Sequence, residues 1–259
     1  MPYVKSGEAD IHYELEGPRE SPALVFSNSL GTDHSLWDPQ AREFQKKLRV
    51  LRYDSRGHGQ YSTTPGPYSV ELLAKDVIAI LDALKLDRVN FCGLSLGGMI
   101  GMWLGANAPE RLSKLVLCNT GAKIGTAENW DTRIETVRKN GMKSVSSAVL
   151  ERWFTPAFRE KAPEQISKIR SVLEALNPEG YAACCAAVRD FDFRKKLGNI
   201  RMPTLVIAGT QDPATPPADG RFLADHVPGA RYVELNAAHL SNIEDQHRFN
   251  TELTAFLNA

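Results

Sequence analysis

The 259-residue sequence lacks the features that mark membrane, secreted or nucleic-acid-binding proteins. No stretch approaches the roughly 18 consecutive apolar residues of a transmembrane helix. The N-terminal residues 1–5 also lack the apolar h-region of a signal peptide. Thirty-one basic residues balance thirty-one acidic ones, so no net charge attracts nucleic acid or an anionic membrane. We therefore expect no nucleic-acid or membrane partner, and we expect a cytoplasmic location.

Cysteine is also scarce, and the four cysteines form neither a C-x-x-C pair nor a disulfide framework. We interpret Cys92, Cys118, Cys184 and Cys185 as reduced, mostly buried, small apolar residues. With 42% hydrophobic and 24% charged residues, the composition is that of an ordinary soluble globular protein. The length suits a domain with a sizeable hydrophobic core.

The most informative stretch is the G-L-S-L-G motif at 93–97, which stands between a β-rich run and an apolar, glycine-studded segment. A serine on a sharp turn from strand to helix needs neighbours without Cβ atoms two positions before and after it. Gly93 and Gly97 meet that need around Ser95. In the helix predicted over 96–107, glycines recur every fourth residue on one face, which indicates close packing against a sheet. The motif therefore predicts a nucleophile elbow.

Strand patterns alternate with helix patterns before about residue 120 and after about residue 200. This alternation predicts an α/β fold with a mostly parallel, twisted sheet flanked by helices. The predicted strands are an antiparallel pair at 3–4 and 11–15, followed by 23–27, 49–54, 88–93, 114–118, 204–208 and 232–235. The predicted helices are 37–48, 70–84, 96–107 and 243–257.

The strand pattern stops over residues 121–199, which we predict to be a helical cap inserted in a core formed by 1–120 and 200–259. Its predicted helices are 127–140, 145–154, 163–176 and 180–189, broken by Gly141, Pro156 and Pro178. The cap carries 14 basic and 10 acidic residues, a net charge of +4 against −4 for the remainder. Such an excess is ordinary for solvated surface, and it also suits an anionic substrate beneath the cap.

Two further polar residues follow predicted strands at the same edge of the sheet as Ser95. Asp212 and His239 each lie a few residues beyond a strand end, where sites in open parallel sheets assemble. The chain order Ser, Asp, His is that of α/β-hydrolases. His239 would take the Ser95 proton, and Asp212 would orient the imidazole and stabilise its charged form. Singly, Asp212 also fits a turn before proline and His239 a polar residue beside a helix.

Backbone N–H groups for an oxyanion hole are predicted at Leu30 and Leu96. Leu30 belongs to a loop at 28–32 that follows a buried strand, although a plain turn explains this loop as well. Leu96 directly follows the nucleophile. His58 is a competing candidate for the base, but the glycines beside it and the flanking charges favour a structural turn.

The sequence resembles the 3-oxoadipate enol-lactonases of the bacterial β-ketoadipate pathway, which have the α/β-hydrolase fold. The resemblance spans nearly the whole chain and is carried by 93–99, the loop 28–31, 209–217 and the cap run 180–187. Family members often have methionine after the nucleophile, where this chain has Leu96, but that position contributes its backbone. The resemblance implies a small anionic lactone as substrate and a ring opening without cofactor or metal. The histidines support the latter, since none shows the H-E-x-x-H spacing.

The substrate implied by this resemblance carries one carboxylate, whose burial requires a cation. On the first cap helix, Arg133 lies three residues after Trp130 and shares its face, so Arg133 would bind the carboxylate while Trp130 covers the ring. Trp153 is a second candidate for the wall. Alternatively, Arg133 pairs with Glu128 or Glu135 and both tryptophans belong to the core of the cap.

Two other classes of function remain open at this point. The chain is compatible with a different capped serine hydrolase, such as a carboxylesterase, a carbon–carbon bond hydrolase or a cofactor-free perhydrolase, because fold and triad serve many reactions. It is less compatible with a non-catalytic binding protein of the same fold, whose signature would be a missing triad residue. All three candidate residues are present.

Overall fold

A computed structural model describes residues 2–59 and 63–259. The described strands are β1 (Tyr3–Ser6), β2 (Ala9–Glu16), β3 (Ala23–Ser27), β4 (Arg49–Tyr53), β5 (Val89–Leu94), β6 (Leu112–Cys118), β7 (Thr204–Gly209) and β8 (Arg231–Leu235). The helices of the first half are α1 (Asp38–Phe44), α2 (Val70–Ala83), α3 (Leu96–Asn107), α4 (Ala127–Asn140) and α5 (Lys143–Trp153). Those of the second half are α6 (Pro156–Lys161), α7 (Pro163–Ala175), α8 (Pro178–Asp190), α9 (Pro217–His226), α10 (Ser241–Glu244) and α11 (Gln246–Asn258).

The described strands form one sheet in the order β1-β2-β4-β3-β5-β6-β7-β8. β1, β2 and β4 pair antiparallel, whereas every pair from β4 through β3 to β8 is parallel. Helices cover both faces, so β3 and β7 are buried along their whole length. The predicted α/β class, the mostly parallel sheet and the antiparallel pair at the start are confirmed.

Helices α2 and α4 begin with a side-chain cap. The Ser69 side chain accepts a hydrogen bond from the Leu72 N–H at the start of α2, and Thr126 does the same for Asn129 at the start of α4. In the core, the buried Trp37 stacks on Phe26 of β3 with ring centroids 4.6 Å apart. The four cysteines are buried and free, as predicted.

Helices α4 to α8 occupy the segment between β6 and β7 that was predicted as a cap. The predicted breaks at Pro156 and Pro178 do separate successive cap helices, but both prolines are also the first residues of helices: α6, which was not predicted, and α8, which was predicted to begin at residue 180. Proline is well accommodated there, since the first helical N–H has no intrahelical acceptor. The side chains of Thr155 and Asn177 cap these helices.

Three other elements differ from the sequence-based prediction. The helix predicted over 37–48 is shorter and follows a 3₁₀ turn at His34–Trp37, and α9 was not predicted. The helix predicted over 243–257 is divided into α10 and α11 at Asp245. Among the described helices, none is long and apolar enough to cross a bilayer.

Candidate active site

Ser95 lies on the sharp turn between β5 and α3, with φ 56° and ψ −111°. A positive φ is strained for a residue with a side chain, at a cost of roughly 1–3 kcal/mol, and persists only where its surroundings hold it. Two hydrogen bonds do so: the Ser95 N–H donates to the Cys118 carbonyl at 2.9 Å, and Thr120 Oγ1 donates to the Ser95 carbonyl at 2.7 Å. The predicted elbow geometry is therefore present.

Gly93 and Gly97 are required by close backbone approach. A Cβ on Gly93 would lie 2.1 Å from the Gly97 carbonyl oxygen, and a Cβ on Gly97 would lie 2.3 Å from that of Ser27. Both distances are far inside van der Waals contact with backbone that cannot move. Any larger residue at either position would displace Ser95 from the turn.

Asp212 and His239 form a buried hydrogen-bonded pair, with 2.8 Å between Asp212 Oδ2 and His239 Nδ1. The same carboxylate accepts from Asn119 Nδ2 at 3.0 Å and from Thr215 Oγ1 at 2.7 Å. Burial alone would raise the pKa of Asp212, but the charge and hydrogen bond of His239, with those of Thr215 and Asn119, lower it below its usual value. Asp212 is thus a carboxylate at neutral pH and fixes the ring so that Nε2 is free.

Ser95 and His239 both line one cavity of about 240 Å³ between the core and the cap. The sheet edge brings the serine of the elbow and the histidine after β8 to this cavity, while Asp212 lies behind the imidazole. Of the residues predicted for the oxyanion hole and for substrate binding, Leu30, Trp130, Arg133 and Trp153 also line the cavity, and Leu96 does not. Its other lining residues include Arg152 and Tyr181.

The backbone around the proposed oxyanion hole is tied directly to the elbow. The Gly97 N–H donates to the Asn28 carbonyl at 3.0 Å, and Asn28 Nδ2 donates to the Tyr53 carbonyl at 2.7 Å. Within residues 2–59 and 63–259, the N–H groups of Leu30 and Leu96 have no protein acceptor. Both groups are available to an oxyanion, and their role remains a prediction.

His58 is buried and holds the loop that carries Leu30. Its Nε2 accepts a hydrogen bond from the Gly31 N–H at 2.9 Å, which requires a neutral ring. Burial lowers the pKa of His58 to about 4, although the Arg56 carbonyl and Asp54 oppose this shift. His58 does not line the cavity, in agreement with its interpretation as part of a structural turn. The link to Gly31 was not predicted, because nothing in the sequence relates these two loops.

We expect His58 to make the protein sensitive to acid. The unfolded chain binds a proton on His58 below about pH 6.5, whereas the folded chain does not until about pH 4. Stability is therefore lost as pH falls through this window, by about 2 kcal/mol at pH 5 relative to pH 8. His58→Gln, which keeps an acceptor for Gly31, should lose less free energy of unfolding between these pH values in urea titrations.

Wild-type protein and His58→Gln share all other titrating groups, so the contributions of these groups cancel when the two acid-induced losses are compared. His226→Gln, at an exposed histidine on α9, is the matched control and should keep the wild-type loss. An acid-induced loss as large in His58→Gln as in wild type would mean that His58 is protonated within the folded protein.

One cluster outside the cavity has the residue types of a metal site. Among the described residues, the ligand atoms of His12, His34 and Asp54 lie within 4.8 Å of one another. Asp54 accepts hydrogen bonds from both imidazoles, at 3.0 and 2.9 Å, and one from the His34 N–H at 2.8 Å. These hydrogen bonds pair both imidazoles with the carboxylate, and they connect β2, the end of β4 and the 3₁₀ turn before α1.

The cap places its predicted residues at the cavity. The Arg133 guanidinium lies over the Trp130 ring, 5.0 Å from its centroid, and Trp130 Nε1 donates to the Ile124 carbonyl at 2.7 Å. Trp153 is 5% exposed and packs close to Gly31. The tryptophans thus combine packing with lining of the cavity.

The alternative role for Arg133 is absent from the described residues, where it forms an ion pair with neither Glu128 nor Glu135. Arg152 and Tyr181 also line the cavity and were not predicted. The sequence feature that could have indicated Arg152 is its position directly before Trp153, a predicted wall of the site.

Comparisons with known proteins identify the family of this chain. Residues 22–246 match the family model described as alpha/beta hydrolase fold. The chain is 44% identical to 3-oxoadipate enol-lactonase 2 of Acinetobacter baylyi and 38% identical to 3-oxoadipate enol-lactonase 1, in each case over 95% of this chain and 92% of the relative. The crystal structure of the enol-lactonase from Burkholderia xenovorans LB400 superposes with a TM-score of 0.98 at 45% identity, covering both chains completely. The resemblance found in the sequence is confirmed, and the chain belongs to the enol-lactonase family of α/β-hydrolases.

Proposed function

We propose that this protein hydrolyses 3-oxoadipate enol-lactone to 3-oxoadipate. The observation that carries this proposal is a single cavity lined by Ser95 and His239 and also by Arg133 of helix α4. The substrate has the matching features, an activated ester for the serine and a carboxylate arm for the arginine. The chain's 44% identity to an enol-lactonase supports the same substrate.

The reaction begins with attack of Ser95 Oγ on the lactone carbonyl while His239 takes the serine proton. Asp212, held as a carboxylate, stabilises the imidazolium that forms. The carbonyl oxygen becomes an oxyanion, which the N–H groups of Leu30 and Leu96 bind. Each such donor typically contributes a factor of about 10² to 10³ in kcat.

Collapse of the tetrahedral intermediate breaks the ring C–O bond and leaves the acyl group on Ser95. The departing enolate takes the proton from His239 on its oxygen, and the resulting enol tautomerises to the ketone. Because the enolate charge is delocalised, an enol leaves more readily than an ordinary alcohol. Water then attacks the acyl-enzyme with His239 as base, and a second collapse returns the proton to Ser95. The product is the dicarboxylate 3-oxoadipate.

Arg133 binds the carboxylate arm of the substrate in this proposal, with Trp130 and Trp153 as walls for the ring. A guanidinium can bind a carboxylate bidentately, and the partial burial of Arg133 strengthens the interaction. No step requires a metal or cofactor. The cytoplasmic location remains a prediction.

A substrate panel tests the proposal with purified wild-type protein in a spectrophotometric assay. The panel contains 3-oxoadipate enol-lactone, a saturated lactone with the same acetate arm and p-nitrophenyl acetate. We expect kcat/KM for the enol-lactone to exceed that of both other substrates by at least about 100-fold, because it alone combines a good leaving group with the charged arm. Equal or faster hydrolysis of the p-nitrophenyl ester would favour a general carboxylesterase.

A further inference from the structure

Two arginines, rather than one, face the cavity that holds Ser95. Arg133 comes from α4 and Arg152 from the last turn of α5, and both are partly buried. Burial and the charge of the neighbouring Arg133 both lower the pKa of Arg152. Two like charges therefore line the same partly buried cavity.

Neither guanidinium has an acidic partner among the described residues. Arg133 lies against the Trp130 ring and beside the Tyr181 hydroxyl, and neither of these groups carries a charge at neutral pH. Four arginines elsewhere in the cap do pair with carboxylates, namely Arg138, Arg170, Arg189 and Arg194. Arg159 on α6 also has no acidic partner in the described part of the chain, so the missing counter-charge is not confined to the cavity, but Arg159 does not line the cavity whereas Arg133 and Arg152 do.

The backbone of Arg152 is held in a fixed position relative to the reacting groups. The carbonyl of the next residue, Trp153, accepts a hydrogen bond from the Leu240 N–H at 3.0 Å, directly after His239. The Trp153 ring packs on the other side close to Gly31, in the loop of the proposed oxyanion hole. The end of α5 therefore bridges the two loops that flank Ser95.

We propose that Arg133 and Arg152 form a two-guanidinium clamp that binds the carboxylate arm of the substrate between them. A carboxylate has about four lone-pair positions on two oxygens, which two guanidinium groups can fill from opposite sides. Bound substrate supplies the missing negative charge and removes the repulsion between the arginines. The clamp rests on the proposed function and adds Arg152 as a residue that determines specificity for anionic lactones.

Binding to a Ser95→Ala host tests the clamp without turnover. The probes are the saturated lactone with an acetate arm and its uncharged methyl ester, measured by isothermal titration calorimetry. Arg152→Met should raise Kd for the carboxylate by about 10- to 100-fold, the range for a lost charged hydrogen bond, and Kd for the ester by less than about threefold. Arg138→Met, which removes the same charge from α4 outside the cavity, is the matched control and should leave both values unchanged.

Variants of both arginines test whether they share one carboxylate. If they do, Arg133→Met combined with Arg152→Met should raise Kd by less than the product of the two single effects. Arg152→Lys should restore part of the affinity, because it restores the charge without the planar fork. Strictly multiplicative single effects would show two separate contacts and overturn the clamp.

A purely structural role for Arg152 predicts different results. In the clamp, Arg152→Met removes a repulsion from the free protein, so its thermal midpoint should be equal to or above that of the Ser95→Ala host. A lower midpoint together with equal losses for the acid and the ester would overturn the proposal, and so would an unchanged Kd for the acid. A different result would show that the proposed function is wrong while the clamp is right. In that case, wild-type protein would not turn over the enol-lactone, but its binding of the carboxylate would still depend on Arg152.

Discussion

Replacement of Ser95 by alanine is expected to abolish turnover of the enol-lactone, with kcat lower by a factor on the order of 10⁶. The hydroxyl has no substitute as nucleophile, since the triad acts as one unit. The fold should be retained because the Ser95 side chain caps no helix and alanine keeps the same Cβ on the strained turn. The backbone hydrogen bonds of residue 95, from its N–H to the Cys118 carbonyl and from Thr120 Oγ1 to its carbonyl, are also unaffected.

Single-turnover kinetics and mass spectrometry provide the measurement. Wild-type protein quenched during hydrolysis of p-nitrophenyl acetate should carry one acetyl group on the peptide that contains Ser95, and the Ser95→Ala protein should carry none. Circular dichroism confirms that the variant is folded. Turnover within tenfold of wild type, after contaminating enzyme is excluded, would mean that the elbow is only structural.

Much of the core was predictable because its elements depend on short-range patterns. β3 and α3 have the bounds that the sequence predicts. A continuous apolar run predicts β3, and the glycines that recur every fourth residue after Ser95 predict α3. Ser95, Asp212 and His239 each follow the C-terminal end of a strand, which predicted all three at one edge of the sheet, where the structure finds them.

The prediction failed where one residue type supports opposite structures. Pro156 was interpreted only as a helix break, and α5 does end before it, but Thr155 also supplies a capping oxygen and makes the same proline the start of α6. The helix α9 begins with prolines and contains Gly220, which together indicate a turn when read locally. Gly220 is instead tolerated because it packs closely on Ala208 and Tyr232.

The rest of the site depends on contacts between distant segments. Glu244 illustrates this, because its carboxylate accepts hydrogen bonds from the Ala238 N–H at 3.0 Å and from Thr155 in the cap. It thereby joins the start of α6 to the loop of His239. The rotation of α5 that directs Arg152 into the cavity rests on such long-range contacts, and periodicity alone does not specify it.

Removal of the imidazole in His239→Ala is expected to be as severe as removal of Ser95, with kcat lower by on the order of 10⁶. Ser95 then has no base, and the enolate has no acid to supply its proton. His247→Ala, at an exposed histidine on α11, is the matched control and should keep wild-type turnover. Both proteins should be compared by circular dichroism, because the buried Asp212 carboxylate loses one hydrogen-bond partner in the first variant.

The pH profile distinguishes loss of the base from damage to the site. In wild-type protein, kcat/KM should fall as pH decreases, because protonated His239 cannot accept the Ser95 proton, and this acidic limb reports the free enzyme. His58 is an unsuitable source for the limb, since burial lowers its pKa to about 4 and its Nε2 already accepts from Gly31. In His239→Ala, the residual activity should lose the acidic limb and rise with hydroxide concentration. Persistence of the wild-type limb in that variant would assign the base to another residue, and a His58→Gln variant of the same background would then show whether that residue is His58.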